Sequence, residues 1–143
     1  MTYLLDVNVL LALFDPVHEH HEAAHRWFEG EKKWASCSIT ELGFLRILAN
    51  PSYPGRLGKI DHLSKMFRQF CDSSHHVYWE KMPSIHDNQD LVWENFESYR
   101  SLTDLYLLSL AKMNKGKLAT FDRKIQSSLL RQGSAVVEFI RSD

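Results

Sequence analysis

The sequence predicts an α/β fold in which a mainly parallel sheet of five strands carries helices on both faces. Short, almost wholly apolar segments alternate along the chain with longer segments whose apolar residues recur at helical spacing. The chain has 143 residues, the usual size of one domain, and no repeat, low-complexity tract or Gly/Ser linker divides it. We therefore predict one domain over residues 1–143.

Five short apolar segments are the predicted strands. Tyr3-Leu4-Leu5 is apolar throughout and is followed at once by Asp6, which suits a buried strand that leads into a helix. Uninterrupted apolar runs of this kind are typical of parallel sheets, whose strands are buried on both faces. The predicted strands are 3–5, 34–37, 77–79, 118–121 and 135–139.

Six segments with helical spacing of apolar residues are the predicted helices. The first ends at Asp15-Pro16, because proline cannot continue a helix, and the second ends at Gly30. In the third we expect Leu42, Leu45 and Leu48 to face inward. The predicted helices are 7–14, 18–29, 39–48, 59–71, 87–99 and 101–114.

Composition and charge exclude several classes of protein. Hydrophobic residues make up 44% and charged residues 24%, which is typical of a globular domain and excludes a disordered chain. Lys and Arg number 17 against 18 Asp and Glu, so a strongly basic nucleic-acid binder is excluded but a local basic rim is not. Two distant cysteines, no signal-peptide pattern and no long apolar run predict a cytoplasmic protein without membrane association.

Four acidic residues follow predicted strands or begin predicted helices. Asp6 and Asp122 come directly after the first and fourth strands, Glu41 lies shortly after the second, and Asp104 begins the last helix. In parallel α/β sheets, sites form at the carboxyl ends of the strands, where these residues would meet. Each acid alone also has a structural explanation as a helix cap, because Glu41 and Asp104 each stand three residues after a serine, the capping-box spacing.

Taken together, the four carboxylates predict a metal site. In one cleft they would repel each other strongly unless a cation lay among them. Hard oxygen ligands select Mg²⁺ or Mn²⁺. Such an ion lowers the pKa of a bound water and stabilises the charge of a phosphodiester under in-line attack. The pattern therefore favours metal-assisted hydrolysis of phosphodiester bonds.

Four motifs in order resemble the PIN-domain family, most closely its VapC-type ribonuclease toxins of bacterial type II toxin–antitoxin pairs. The motifs are Leu5-Asp6-Val7-Asn8, Ser38-Ile39-Thr40-Glu41, Leu102-Thr103-Asp104-Leu105-Tyr106-Leu107 and Leu118-Ala119-Thr120-Phe121-Asp122. The likeness spans nearly the whole chain. It implies a PIN-like fold and a metal-dependent endoribonuclease that hydrolyses RNA with a water activated at a Mg²⁺ or Mn²⁺ site. It also implies an antitoxin partner that blocks the cleft, and a homodimer.

The resemblance also implies roles for individual residues. Asp6, Glu41, Asp104 and Asp122 match the family's acidic quartet. Asp6 and Asp104 would bind the ion directly, Asp122 would assist directly or through water, and Glu41 would orient or deprotonate the attacking water. Polar positions beside the acids, which could hold water or orient the carboxylates, are Asn8, Thr40, Thr103 and Thr120. Many relatives carry a further acid two positions after the last one, where this chain has Lys124.

Basic residues near Asp122 in the sequence could form a rim that attracts an RNA backbone. The candidates are Lys117, Arg123 and Lys124, with Arg46 and Arg100 as weaker ones. A solvated helix end explains basic residues of this kind equally well.

Two other functions remain open at this point. His21-Glu22-Ala23-Ala24-His25 fits the H-E-x-x-H pattern of zincin metalloproteases, although a third ligand at a recognised spacing is missing. Alternatively, the fold could be a non-catalytic RNA- or protein-binding module whose acids are only helix caps. An activity assay would separate the three hypotheses. The nuclease would cleave RNA with Mg²⁺ or Mn²⁺, the protease would cleave peptides with zinc, and the binding module would do neither.

Overall fold

The computed structural model describes residues 1–55 and 57–142; Arg56 and Asp143, which the predicted domain includes, lie outside the described residues. Its sheet has five strands in the order β3-β2-β1-β4-β5, and every neighbouring pair is parallel. The strands are β1 Thr2–Leu5, β2 Lys33–Ser36, β3 His75–Tyr78, β4 Lys117–Thr120 and β5 Val137–Phe139. The helices are α1 Val7–Phe14, α2 His21–Phe28, α3 Ser38–Ala49, α4 Ile60–Asp72 and α5 Leu102–Met113.

Side chains alternate between the two faces of this sheet, and each face has its own hydrophobic core. On one face, helix α5 packs on alternate strand residues, among them Leu4, Ala35 and Leu118. On the other face, helices α1 to α4 pack on the intervening residues, which include Leu5, Trp34 and Ala119. The predicted α/β fold with helices on both faces is therefore confirmed.

The strand order creates a crevice at the carboxyl ends of β1 and β4. The chain runs outward from β1 through β2 to β3, then returns through α5 to place β4 on the other side of β1. Ligand sites of parallel α/β sheets form where the order reverses in this way. In the described ranges, no helix is long and apolar enough to cross a membrane.

Most predicted boundaries shift by only one or two residues, and the first predicted helix is confirmed to the residue. Helix α2 begins at His21 rather than His18. The reason is a local turn, because the Nδ1 atom of His18 accepts a hydrogen bond from the backbone N–H of His20 at 3.0 Å. Side chains that bond nearby backbone groups compete with helix formation in this way.

The helix predicted over residues 87–99 is wrong. This segment contains two short 3₁₀ turns, Ile85–Asp87 and Trp93–Asn95, with a further turn at residues 89–90 and an isolated bridge at Leu91 between them. The backbone N–H of Val92 bonds the carbonyl of Leu129 instead of a carbonyl one turn earlier. Tertiary pairing with a distant part of the chain thus replaces the local hydrogen bonds that a helix needs.

The inward orientation predicted for Leu42 is also wrong, because this side chain is 61% exposed. Leu48 is buried and Leu45 packs against the core, as predicted, and helix α3 also buries Thr40 and Phe44. It packs on α1 next to Gly43, where a Cβ atom would lie 2.9 Å from a methyl group of Val7. The close contact fixes which side of α3 faces the core and leaves Leu42 on the outer side.

Candidate active site

The Asp6 carboxylate lies at the reversal point of the sheet, directly after β1, and the residue is only 8% exposed. Its Oδ1 accepts a hydrogen bond from the backbone N–H of Val7 at 2.8 Å, and this bond caps helix α1. Its Oδ2 accepts from the hydroxyl of Thr120 at 2.8 Å. Burial raises the pKa of Asp6, the two hydrogen bonds lower it in part, and the charge of Asp122 raises it further.

The Thr120 hydroxyl joins Asp6 to Asp122. Thr120 is fully buried at the end of β4, where its Oγ1 donates to Asp6 and accepts from the backbone N–H of Asp122 at 3.0 Å. The carboxylate of Asp122 in turn accepts from the backbone N–H of Lys124 at 2.8 Å. One buried hydroxyl therefore sets the position of both acids at the ends of the two neighbouring strands.

Asp104 lies in the first turn of α5 and completes a group of three interacting carboxylates. No hydrogen bond to its carboxyl is formed within the described part of the chain, and the capping box with Ser101 is absent. Ser101 instead donates to Gln126 at 3.3 Å. Burial, followed by the charges of Asp6 and Asp122, raises the pKa of Asp104 from 3.8 to about 6.

The carboxylate oxygens of these three aspartates are the kind of ligand that a small, hard divalent cation prefers. Their negative charge is uncompensated, since the ion pairs found in residues 1–55 and 57–142 involve other carboxylates. Within the same ranges, no three His, Cys, Asp or Glu side chains are close enough to enclose a metal ion by themselves. Mg²⁺ usually keeps several waters and takes only one or two carboxylates from the protein, so an open group of this kind suits it.

Glu41 lies apart from the three aspartates. Its Oε2 accepts from the hydroxyl of Ser36 at 2.6 Å, and its charge acts on Cys71 and His76 rather than on Asp6 or Asp104. Thr120 shares a face of the sheet with Leu118, which packs under α5, whereas Ser36 shares the opposite face with Trp34. The structure therefore brings three of the four predicted acids together and places Glu41 on the other face at the same edge.

Of the four predicted supporting polar residues, two are buried and two are exposed. Thr120 contacts the acids, as described above, whereas the buried hydroxyl of Thr40 accepts from the backbone N–H of Cys37 at 3.0 Å and so caps α3. Asn8 and Thr103 are exposed in the first turns of α1 and α5, beside Asp6 and Asp104 in the chain.

The predicted basic rim is only partly at this edge. Arg123 and Lys124 are exposed in the turn that follows Asp122, and the Arg123 guanidinium lies 5.3 Å from the centre of the Phe139 ring. Arg100 is exposed just before α5. Lys117 begins β4 and so lies at the opposite edge of the sheet, while Arg46 lines a separate cavity of about 490 Å³.

Sequence reasoning missed Ser36 and His76. The Ser36 hydroxyl contacts both Glu41 and the Nε2 atom of His76, which lies on the neighbouring strand. No local motif signals this contact, because it depends on the register between β2 and β3. A serine at the carboxyl end of a predicted strand was the available signal.

The H-E-x-x-H segment has a structural role in this fold. The ring Nδ1 of His21 donates to the carbonyl of Ala12 at 2.7 Å, and the ring Nε2 of His25 donates to that of Leu13 at 2.8 Å. Both imidazoles therefore bind the last carbonyls of α1, which have no partner within that helix. No third ligand joins them among the described side chains, so the geometry does not favour a zinc protease.

Comparison with known proteins gives an independent result. Residues 3–128 match the model of the PIN domain family. Ribonuclease VapC44 of Mycobacterium tuberculosis is 39% identical over 127 residues, which cover 87% of this chain and 89% of that protein. Ribonuclease VapC39 of the same organism is 36% identical over 134 residues, covering 90% and 94%. Ribonuclease VapC38 is 31% identical over 140 residues, covering 96% of each chain.

Proposed function

This chain belongs to the PIN domain family, and we propose on that premise that it is a divalent-metal-dependent endoribonuclease toxin. The ribonuclease names of its relatives support the reaction class. The observation that carries the metal dependence is the group of Asp6, Asp104 and Asp122, held at the reversal point of the sheet without a balancing cation from the described residues. Neither a zinc protease nor a module whose acids only cap helices accounts for the Asp104 carboxyl, which has no partner among the described residues.

Asp6 and Asp104 would hold a Mg²⁺ or Mn²⁺ ion, and Asp122 would assist directly or through a water. When bound, such an ion lowers the pKa of a coordinated water and neutralises charge that develops on the phosphate. Thr120 keeps one oxygen of Asp6 in place by its hydrogen bond. Arg123, Lys124 and Arg100 are exposed at the same edge and would contact the RNA backbone.

Glu41 would orient or deprotonate the attacking water. Its Oε2 is held by Ser36, whereas its Oε1 has no hydrogen-bond partner in the described part of the chain and is not shut off from solvent. A carboxylate fixed through one oxygen can present the other to a water. Because Glu41 lies on the other face of the sheet from the aspartates, its role needs a test of its own, the Glu41→Gln variant.

We propose that residues 1–143 form one nuclease domain that acts in the cytoplasm as a homodimer. A cognate antitoxin protein would bind over the cleft and block access of RNA. The family and the relatives, which this chain matches over nearly their full length, support the nuclease domain. The location, the homodimer and the antitoxin rest on the resemblance to VapC-type toxins.

The test compares wild-type protein with Asp104→Asn on total RNA, with Mg²⁺ or Mn²⁺ and with a chelator, followed by sequencing of the new ends. Removing the charge that binds the ion should lower cleavage about 100-fold or more while the fold is kept. Asp87→Asn, which changes an exposed aspartate whose charge is not among those that shift the pKa of Asp6 or Asp104, is the matched control. Full cleavage by Asp104→Asn, or cleavage that the chelator leaves intact, would contradict the proposal.

A further inference from the structure

A chain of two hydrogen bonds links Glu41 to His76 through Ser36. The Oγ of Ser36 lies 2.6 Å from Glu41 Oε2 and 2.8 Å from His76 Nε2. Ser36 is fully buried at the end of β2, so its hydroxyl has no access to water. Both hydrogen bonds of this hydroxyl are therefore made within the protein.

The geometry sets the direction of both bonds. A serine hydroxyl has one proton, and the Glu41 carboxylate can only accept, so Ser36 donates to Glu41. The Ser36 oxygen must then accept from His76, which requires a proton on the Nε2 atom of that ring. The order of donation runs from His76 to Ser36 to Glu41.

The His76 ring is held by its surroundings. His76 lies opposite Trp34 in the register of β2 and β3, and the two ring centres are 4.4 Å apart. Trp34 is fully buried and is itself fixed by a 2.9 Å hydrogen bond from its indole N–H to Ser74. Burial lowers the pKa of His76, and the charges of Glu41 and Asp72 oppose this in part.

We propose that His76 is a positioning residue that fixes the Glu41 carboxylate through the hydroxyl of Ser36. The inference rests on the proposed function, because it assumes that Glu41 acts on the attacking water. Without the His76 donor, the Ser36 oxygen loses its partner, its hydroxyl is free to turn, and Glu41 regains its side-chain rotations. A water presented to the phosphate would then be less well placed, which lowers the rate of the chemical step rather than RNA binding.

The experiment measures kcat and KM of RNA cleavage for four single variants of the full chain and for one double variant. His76→Phe keeps a ring against Trp34 but removes the N–H donor, whereas His76→Gln keeps a donor near the position of Nε2. Ser36→Ala removes the link itself. His75→Phe is the matched control, because His75 is the neighbouring exposed residue of the same strand and pairs with Glu31 at 3.8 Å.

We expect His76→Phe and Ser36→Ala each to lower kcat about 10-fold with an unchanged KM, as is usual for residues that orient a catalytic group. His76→Gln should regain most of the lost rate, and the double variant Ser36→Ala/His76→Phe should be no slower than Ser36→Ala. Equal kcat values for His76→Phe, Ser36→Ala and His75→Phe would overturn the proposal, and so would a His76→Gln variant as slow as His76→Phe.

A spectroscopic measurement tests the link independently of activity. Long-range ¹H–¹⁵N spectra of the wild-type chain should show His76 with its proton on Nε2 and none on Nδ1. The opposite tautomer would overturn the proposed link even in an active enzyme. If the tautomer is as expected but Glu41→Gln cleaves RNA at the wild-type rate, the failure lies in the catalytic role proposed for Glu41 and not in the hydrogen-bonded link.

Discussion

The three aspartates of the candidate site have very different surroundings. Both oxygens of Asp6 accept hydrogen bonds, and Asp122 accepts one from the backbone of Lys124. Asp104 has no such donor among the described residues, although burial and two neighbouring negative charges act on it. In the metal-free protein its charge is therefore the least compensated of the three.

The first prediction is that Asp104→Asn stabilises the metal-free protein at pH 7.5. The pKa of Asp104 is raised from 3.8 to about 6, so its neutral form favours the folded state. The stabilisation of the folded state by protonated Asp104 is complete below about pH 3.8 and is lost as the pH rises through about 6. Because the side chain is only partly buried, solvent screening limits the gain to about 1 kcal/mol, or roughly 4 °C in Tm.

Thermal unfolding of both proteins in chelator, from pH 4 to pH 8, measures this effect. The Tm difference should be small at pH 4, should grow between about pH 4 and pH 6, and should level off above pH 6. Asp87→Asn, in which an exposed aspartate is changed, should show no such growth. A Tm difference that does not depend on pH would contradict the assigned origin of the effect.

At the scale of elements, the turn after β4 combines acidic and basic groups. The Asp122 carboxylate accepts from the backbone N–H of Lys124, and the exposed side chains of Arg123 and Lys124 follow directly. Lys117, at the other end of the same strand, lies at the opposite edge of the sheet. Strand β4 thus has candidate RNA contacts after its carboxyl end, and Lys117 at its amino end can serve as the control residue.

The second prediction is that replacing Arg123 and Lys124 by Ala weakens RNA binding and reduces its dependence on salt. The slope of log K against log salt should fall by about one unit for each phosphate contact that is lost. The measurement is a salt series in an Asp6→Asn background, so that hydrolysis does not interfere. Lys117→Ala should leave the slope unchanged, and an equal effect of both changes would contradict this location of the RNA path.

Helical spacing alone does not decide whether a segment becomes a helix. Residues 87–99 carry apolar residues at helical spacing, yet Arg131 donates its backbone N–H to the carbonyl of Asp90, and Leu91 forms an isolated bridge with Leu130. Asn88 also holds the backbone N–H of Asp90 with its side chain at 2.9 Å. The sequence shows the spacing, but not these distant and side-chain competitors for the backbone groups.

At the scale of the whole molecule, the candidate metal site joins parts that otherwise belong to different elements. Asp6 follows β1, Asp122 follows β4, and Asp104 is carried by α5, which packs on the sheet through its own hydrophobic core. A metal site formed by these three residues would exist only in the folded chain, because the unfolded chain does not bring them together. Binding to the folded state alone raises stability by mass action.

The third prediction is therefore that Mg²⁺ or Mn²⁺ raises the Tm of the wild-type protein and that a chelator reverses the effect. At an ion concentration one hundred times the Kd, the expected gain is about 2.7 kcal/mol. Asp104→Asn should lose most of this gain, although it is the more stable protein without metal. The control is NaCl at matched ionic strength, and an equal rise in Tm with NaCl would contradict specific binding.

The sequence by itself determined most of the strands and helices and the chemical character of the site. The apolar strands 3–5 and 118–121, which the structure has as Thr2–Leu5 and Lys117–Thr120, and the helix ending before Asp15-Pro16 follow from local patterns of residues. The positions of Asp6 and Asp122 are also predictable from the sequence, because an acid directly after a buried parallel strand must lie at the carboxyl edge of the sheet. These features depend on residues close together in the chain.

Only the tertiary structure decided which side chains meet across that edge. Strand register brings Thr120 to Asp6 and His76 to Ser36, and the packing of α5 and α3 on opposite faces separates Asp104 from Glu41. Residues 120 and 6 are more than one hundred positions apart, and no local pattern specifies their contact. The alternation of side chains along a strand means that a shift of one residue would move each group to the other face, so only the assembled sheet fixes the site.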